Sequence, residues 1–189
     1  MAENRKVGDQ RLTKDVILRS ALRIVDTDGV EALSMRKLAA DLGVNPMSIY
    51  HHVDNKAALL DGITRLVTDG ANELTVGDGP WQDQLRRLAY AFRAQSLAHR
   101  NLLRYAFAGD DFIQRDGPMW RTLRAVLRSA GLPETEVDRT GAVLVVLVGG
   151  LLHTEVNGTM RRLVGADQAD DTGFALAVEL LIDGITART

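Results

Sequence analysis

Residues that begin and end helices recur along this chain, and this punctuation constrains its fold more than any other feature. Thr13, Ser34 and Asn45 each precede an apolar stripe at helical spacing, and Gly29 and Gly43 follow the first two stripes. Hydroxyl and amide side chains cap helix N-termini, whereas glycine ends helices in a left-handed conformation. No stretch convincingly alternates apolar and polar residues with the period of two that a strand shows. The sequence therefore predicts an all-α fold.

A cluster of helix-breaking residues, Val76-Gly77-Asp78-Gly79-Pro80, divides the chain into two parts. Before this cluster the apolar periodicity predicts helices over 13–28, 34–42, 46–53 and 55–74. After it the predicted helices are longer and more apolar, over 81–99, 117–130, 134–159 and 172–187. The stretches around 109–111 and over 165–171 are predicted to be loops. We therefore expect a set of short helices joined by a long fourth helix to a larger helical part.

Composition excludes several classes of protein. The chain has no cysteine, which excludes disulfides, Cys-based zinc sites and thiol catalysis and suits a reducing, cytoplasmic location. Residues 1–12 are polar and contain no apolar core of a signal peptide, so they are predicted to be a disordered lead. The apolar run over 141–152 is shorter than the roughly 20 residues that cross a bilayer. It is therefore predicted to be a core or interface helix, with no membrane partner.

The charge of the chain gives only weak information about nucleic acid. The formal net charge of −2 does not favour a general nucleic-acid binder. Residues 1–56 carry nine Lys and Arg against eight Asp and Glu, so the N-terminal part is slightly basic and the remainder acidic. This asymmetry permits a local basic face near the N-terminus.

The segment over 34–53 meets the physical requirements of a helix-turn-helix. Such a motif needs a small residue where the helices cross, a glycine in the turn and apolar anchors on the second helix. These are present as Ala39, Gly43, Val44, Ile49 and Val53. The second helix then exposes an apolar side chain, hydroxyls and imidazoles to a DNA major groove, at Met47, Ser48, Tyr50, His51 and His52.

Two basic residues flank this segment at useful positions. Arg36 lies near the start of the preceding helix, and its planar guanidinium can donate to both O6 and N7 of guanine. Lys56 lies in the first turn of the fourth helix, where a helix N-terminus and an ammonium can share one phosphate. Two other interpretations stay open: Tyr50 can be a half-buried packing residue, and His51 with His52 can be a metal pair. Adjacent helical side chains diverge, which disfavours the metal pair.

The run LSMRKLAADLGVNPMSIYHHVDNKAALLDGI, with Tyr50, His52 and Lys56 in a Tyr-x-His-x-x-x-Lys spacing, resembles the N-terminal domain of the tetracycline-repressor (TetR) family. A weaker likeness at 81–82, 92–93 and 97–100 resembles the branch with a tetracycline-repressor-like C-terminal domain. The resemblance implies that one set of residues faces bases, namely Arg36, Pro46, Met47, Tyr50 and His51. It implies that Tyr50, His52 and Lys56 hold phosphates. Asp54 replaces a family lysine and Pro46 stands one place early, so the operator sequence does not carry over.

The resemblance also implies domains and a function. Residues 13–58 are expected to form the DNA-binding domain and residues 59–189 a ligand-binding and dimerisation domain. We expect a homodimer that binds a palindromic operator in double-stranded DNA and represses until a small molecule releases it. The alternatives are a helical enzyme and a dimerisation module without DNA binding. Neither an H-E-x-x-H nor a G-x-S-x-G motif occurs, so the chain is not expected to be an enzyme.

The tetracycline pocket of the family is largely absent from this sequence. Asn72, Leu88 and Ala106 stand where the resemblance implies two drug-anchoring residues and a metal-binding histidine, and only Phe92 is retained. We therefore expect a more apolar effector and no metal or other cofactor. Aromatic side chains with a few polar groups are typical of a drug-sized cavity. The expected ligand-binding set is Asn72, Leu88, Phe92, His99, Phe107, Trp120 and Leu127.

The apolar run over 141–152 also predicts a subunit interface. Its residues are apolar nearly all round the helix, so one side is expected to pack on the core and the other on a second subunit. The Gly149-Gly150 pair permits a close approach of backbones. His153 and Glu155 are two residues apart, which is unsuited to a helical metal site. The predicted interface comprises Val143, Leu147, Gly150, Leu151, His153, Leu176 and Leu180.

Overall fold

The computed structural model describes residues 12–70, 77–107, 117–164 and 172–189, and every regular element in these ranges is helical. The predicted all-α fold is confirmed. The predicted disordered lead, apart from Leu12, and the predicted loops around 109–111 and over 165–171 lie outside the described residues. The chain divides into two compact units, Met1–Ile63 and Thr64–Thr189.

From Leu12 onward, where the structure describes it, the first unit contains three helices and the start of a fourth. They are α1 (Lys14–Asp28), α2 (Met35–Leu42), α3 (Pro46–Tyr50) and α4 (Lys56–Gly70), with a short 3₁₀ turn at Val30–Ala32. The predicted caps are confirmed: Thr13, Ser34 and Asn45 accept hydrogen bonds from backbone amides in the first turns of α1, α2 and α3. Gly43 ends α2 in the left-handed conformation, at φ 66°. Local chemistry therefore determines where these helices begin and end.

Polar contacts fix α1 against α2. The fully buried Ser20 donates its hydroxyl hydrogen bond to Asp41 Oδ2, and Arg23 Nη2 lies 3.0 Å from the same oxygen. Lys37 Nζ contacts Asp28 Oδ2 at 2.6 Å. The ion pairs are half exposed and each contributes about 0–1 kcal/mol. The buried Ser20 hydroxyl is more specific, because losing its acceptor leaves a polar group unsatisfied in the core.

The cap of α3 gives a test of local stability. Asn45 Oδ1 accepts from the Met47 amide at 2.9 Å, and Pro46 occupies the first helical position. Replacing Asn45 with Ala should lower the free energy of unfolding by about 1 kcal/mol, since that amide loses its partner. Asn45→Asp keeps a capping oxygen and should stay close to the wild type. Thermal melting of the three proteins measures the effect, and equal melting temperatures for Ala and Asn at this position would contradict it.

In the described residues of the second unit, six helices follow α4. They are α5 (Trp81–Ala98), α6 (Arg100–Phe107), α7 (Pro118–Ser129), α8 (Glu134–Val156), α9 (Thr159–Val164) and α10 (Thr172–Thr186). Their core joins buried residues of α5, α7, α8 and α10, including Leu88, Leu127, Val137 and Ile182. The predicted helices over 81–99, 117–130 and 172–187 agree with α5, α7 and α10 to within two residues at each end.

Two boundaries differ from the predicted ones, and two helices, α6 and α9, were not predicted. The helix predicted over 134–159 ends at Val156, because Gly158 adopts a positive φ of 68° and a new helix starts at Thr159. The Asn157-Gly158 pair is typical of a turn. The prediction gave more weight to the apolar pattern before it and extended the helix through this pair. The sequence did not predict α6, which starts after His99 interrupts helical geometry at φ −118° and ψ 51°. Helix α3 ends at Tyr50 instead of 53, and the turn that follows buries Val53.

Candidate functional site

The crossing of α2 and α3 has the geometry of a helix-turn-helix. Ala39 is buried at the crossing, and its carbonyl accepts from the Val44 amide at 3.0 Å. Gly43 provides the positive φ that reverses the chain between the two helices. Ile49 and Val53 are buried and anchor α3 and the turn after it. The apolar side of α3 is thereby held on the core, which leaves its other side outside.

The exposed side of α3 carries the predicted DNA-facing residues. Met47 is 63% exposed and Tyr50 is 44% exposed, although both are large apolar or aromatic side chains. Pro46, His51 and His52 are exposed as well, and Ser48 is half-buried. Since Ile49 between them is fully buried, the exposure of Met47 and Tyr50 reflects the orientation of the helix and not loose packing.

The two predicted basic contacts lie in the same unit as α3. Arg36 is exposed in the first turn of α2, and Lys56 is half-buried as the first residue of α4. His51 and His52 follow the last helical residue of α3 and occupy a turn. In the part of the chain that the structure describes, no group of three or more His, Asp or Glu side chains is placed to hold a metal ion.

A cavity of about 60 Å³ in the second unit, the apolar cavity, is lined only by apolar side chains. It lies among α5, α7, α8 and α10, and its lining is Leu85, Leu88, Ala89, Phe92, Met119, Leu123, Leu144, Val145, Val148, Val178 and Leu181. A second cavity of about 30 Å³, the mixed cavity, lies among the end of α4, α5 and α6. Its lining is Thr64, Val67, Thr68, Phe92, Gln95, Ser96, His99, Leu102, Leu103 and Ala106.

The structure brings together some of the predicted ligand-binding residues. Leu88 lines the apolar cavity, His99 lines the mixed cavity, and Phe92 lines both. Trp120 and Leu127 are buried in the core and line neither cavity. They pack instead beside Gly141, where an added Cβ would lie 3.3 Å from the Trp120 ring and 3.6 Å from Leu127. Asn72 lies outside the described residues, and Phe107 is the last residue of α6.

Sequence reasoning missed most of the lining, although α5 carried a readable signal. Leu85, Ala89, Gln95 and Ser96 share the helical face of Leu88, Phe92 and His99. The lining residues on α8 and α10, including Val145, Val148 and Leu181, have no sequence feature that distinguishes them. Their apolar spacing fits a core position equally well.

Two ion pairs tie the walls of the apolar cavity together. Arg86 Nη2 on α5 contacts Glu179 Oε2 on α10 at 2.6 Å, and hydrogen bonds from Arg86 lower the pKa of the Glu179 carboxyl. Arg93 Nη2 contacts Glu155 Oε1 on α8 at 2.6 Å. The Arg93 guanidinium also lies 5.1 Å from the centre of the Phe174 ring, within cation–π range. Helix α5 is therefore held to both α8 and α10.

Helices α8 and α10 both carry exposed apolar side chains. Val143, Val146, Leu147 and Gly150 recur at i, i+3, i+4 and i+7, and Val146 and Leu147 are 70% and 51% exposed. Leu176 and Leu180 on α10 are each 62% exposed. Of the predicted interface residues, Leu151 and His153 are only half-buried, and Val146 was not predicted. Among the described helices α8 meets the length and composition of a membrane span, with 28% of that window buried in the subunit.

Two family models match most of the chain. Residues 17–63 match the model described as "Bacterial regulatory proteins, tetR family", and residues 75–168 match "Tetracyclin repressor-like, C-terminal domain". A tetracycline repressor of class A from Escherichia coli is 29% identical over 94% of this chain and 92% of its own length. The repressor DrrR1 of Streptomyces coeruleorubidus is 39% identical over 49% of this chain, a match that spans 34% of that protein.

Solved structures of similar fold include complexes with ligand and with DNA. The Streptomyces coelicolor protein ActR in complex with actinorhodin has a TM-score of 0.77 and 28% identity, over 96% of this chain and 98% of its own. BioQ with its natural double-stranded DNA operator has a TM-score of 0.71 and 26% identity, over 94% of this chain and 99% of its own. The likeness therefore spans both units and extends to proteins solved in both bound states.

Proposed function

Because this chain belongs to the TetR family of bacterial regulatory proteins, we propose that it is a ligand-responsive transcriptional repressor that binds double-stranded DNA as a homodimer. One observation carries the proposal: Met47 and Tyr50 are exposed on α3 while Ile49 and Val53 hold that helix on the core. A recognition helix needs this arrangement to enter a major groove. The proposed role is regulatory and not catalytic, and the proposed location is the cytoplasm.

The proposed DNA contacts divide into two kinds. Arg36, Pro46, Met47, Ser48, Tyr50 and His51 would face base edges, where Met47 suits a thymine methyl and Arg36 suits guanine. Tyr50, His52 and Lys56 would hold phosphates, which position the protein without reading sequence. A two-fold dimer would place its two α3 helices about 34–36 Å apart, so the operator would be a pseudo-palindrome. The likeness to BioQ, which was solved with its double-stranded DNA operator, supports binding to duplex DNA.

A gel shift on the DNA that flanks the protein's own gene tests the proposal. The purified protein should retard this DNA and not an unrelated duplex of equal length, and one class of small molecules should abolish the retardation. An equal shift of both duplexes would contradict specific regulation. The absence of any shift at micromolar protein would favour a dimerisation module.

Two substitutions separate base reading from phosphate binding. Arg36→Ala should weaken operator binding by about 1–3 kcal/mol and relax the preference at one base pair. Lys56→Ala should weaken binding to all sequences alike and flatten the slope of affinity against salt by about one unit. Titrations of operator and single-mismatch duplexes at several salt concentrations measure both effects. Unchanged base preference in Arg36→Ala would remove that residue from the proposed base contacts.

The proposed effector is a largely apolar molecule that binds in the second unit. The apolar lining of the larger cavity supports this choice. Leu88 and Ala106 line the two cavities at positions where the family resemblance implies anchoring groups for tetracycline and its metal, so a magnesium–tetracycline complex is disfavoured. The proposed transmission runs through α4, which begins in the first unit at Lys56 and lines the mixed cavity with Thr64, Val67 and Thr68.

The proposed dimer is a four-helix interface made by α8 and α10 of each subunit. The exposed apolar stripe on α8 and the exposed leucines of α10 support it, because monomeric proteins rarely leave many large apolar side chains in water. Gly150 is exposed and has no atom within 4 Å of an added Cβ, which leaves room for close approach of a second helix. A two-fold axis would bring the same face of each subunit together.

A further inference from the structure

The apolar cavity and the mixed cavity follow one another along a single face of α5. Leu85, Leu88 and Ala89 line the apolar cavity, whereas Gln95, Ser96 and His99 line the mixed cavity. Phe92 stands between the two groups and lines both cavities. With 3.6 residues per turn, all these positions lie on one side of the helix. The chemistry of that side therefore changes from apolar to polar at Phe92.

The linings define what kind of molecule each cavity can accept. The apolar cavity presents no side-chain nitrogen or oxygen. The mixed cavity presents hydroxyls, an amide and an imidazole, at Thr64, Thr68, Ser96, Gln95 and His99. No Asp, Glu, Lys or Arg side chain is among the described residues that line either cavity. Among these described residues an ionised ligand group would therefore lose its hydration without gaining a permanent counter-charge, which is costly.

Neither cavity alone holds a drug-sized molecule, and it is their spacing along α5 that allows one ligand to use both. Their volumes of about 60 and 30 Å³ are far below the roughly 300–1,000 Å³ of a site for a drug-sized molecule. Leu88 and Ser96 are eight residues apart on α5, or about 12 Å along its axis. A molecule of that length reaches from one cavity into the other when the Phe92 ring rotates aside.

We propose that the two cavities are the ends of one binding site for an uncharged amphipathic molecule, with its hydrocarbon part in the apolar cavity and its hydrogen-bonding end beside Gln95 and His99. Phe92 separates the two cavities in the empty site, and its ring packs against the middle of the ligand once it has rotated aside. This inference rests on the proposed function only in naming the chemical class of the effector. It adds an orientation along α5 and a requirement for zero charge.

A homologous series of 1-alkanols, from hexanol to decanol, tests the inference on the full-length protein without DNA. Their affinity is measured by displacement of the neutral fluorophore N-phenyl-1-naphthylamine. Each added methylene should tighten binding about four-fold until the apolar cavity is filled. Alkanoates of equal chain length at pH 8 should bind at least roughly ten-fold more weakly, because their carboxylate stays ionised. No uptake of the fluorophore, no dependence on chain length, or tighter binding of alkanoates would overturn the inference.

Paired variants locate the two ends of the ligand. Gln95→Met should lower the affinity for every alkanol by one common factor of about 2–13, which corresponds to the loss of one hydrogen bond. Val148→Thr puts a hydroxyl into the apolar cavity and should weaken the longer alkanols selectively, so the gain per methylene falls. Val145→Thr is a second variant of the same kind, and Gln82→Met, on α5 outside both cavities, is the control. Identical effects of Gln95→Met and Val148→Thr across the series would overturn the proposed orientation.

Failure of this inference can be distinguished from failure of the proposed function. An operator gel shift is run on the same preparations in the absence of alkanols. If alkanol affinity rises with chain length as expected but the protein does not bind the operator, the proposed function is contradicted and the inference stands. Normal operator binding with a flat alkanol series would overturn the inference alone.

Discussion

Leu147→Glu should convert the protein from dimer to monomer and abolish operator binding at nanomolar concentrations. Leu147 is half exposed in the centre of the apolar stripe on α8. In the proposed dimer a carboxylate at this position would be buried against the apolar stripe of the second subunit, and burying an unpaired charge is strongly unfavourable. A monomer offers one recognition helix, and losing the linked second half-site typically costs a factor of about 10²–10⁴ in affinity. Light scattering measures the mass, and a gel shift measures the loss of binding.

Two further variants show whether this effect comes from the interface. Leu147→Met keeps an apolar side chain of similar size and should remain a dimer. Gly150 has open space around an added Cβ within its own subunit, so Gly150→Leu should fold and yet fail to dimerise. A wild-type protein that is monomeric at micromolar concentration would end the proposal of the α8 and α10 interface. So would a Gly150→Leu protein that stays dimeric.

Phe92→Ala should remove most of the response to the effector and leave operator binding without effector nearly unchanged. Phe92 lines both cavities and therefore contacts both parts of a bound ligand, but it lies in the second unit, away from α2 and α3 in sequence. Coupling between two sites is typically about 1–3 kcal/mol, a factor of roughly 5–150 in affinity. Operator titrations with and without the compound that releases wild-type protein measure this factor, which should fall toward one.

The coupling is reciprocal, which provides an independent check. Operator DNA must lower the affinity for the effector by the same factor by which the effector lowers the affinity for the operator. Fluorescence of Trp81 and Trp120, titrated with effector in the presence and absence of operator, measures it. Tyr90→Ala is the control. It removes another aromatic ring of α5, one that lines neither cavity and packs on Phe174 instead. An equal loss of response in Tyr90→Ala would point to general damage of α5 and contradict a specific role for Phe92.

The helical class, most helix boundaries and the helix-turn-helix could be predicted from the amino-acid sequence. These features depend on contacts within a few residues of the chain, such as Thr13, Ser34 and Asn45 capping the helices that follow them. Gly43 is equally local, because its left-handed conformation suits a residue without a Cβ. The alternation of buried Ile49 with exposed Met47 and Tyr50 follows from helical periodicity alone.

The positions of the cavities and the residues that line them depend on how the helices pack, and could not be predicted from the sequence. Trp120 and Leu127 match the composition of a ligand site as well as Val145 and Val148 do, yet the first two pack beside Gly141 and the last two line a cavity. Periodicity states that one face of a helix is buried but not which helix covers it, nor whether the covering leaves a gap. The apolar cavity is formed by four helices whose contributing residues extend from Leu85 to Leu181. A gap of this kind is a property of their packing, so no local stretch of sequence encodes it.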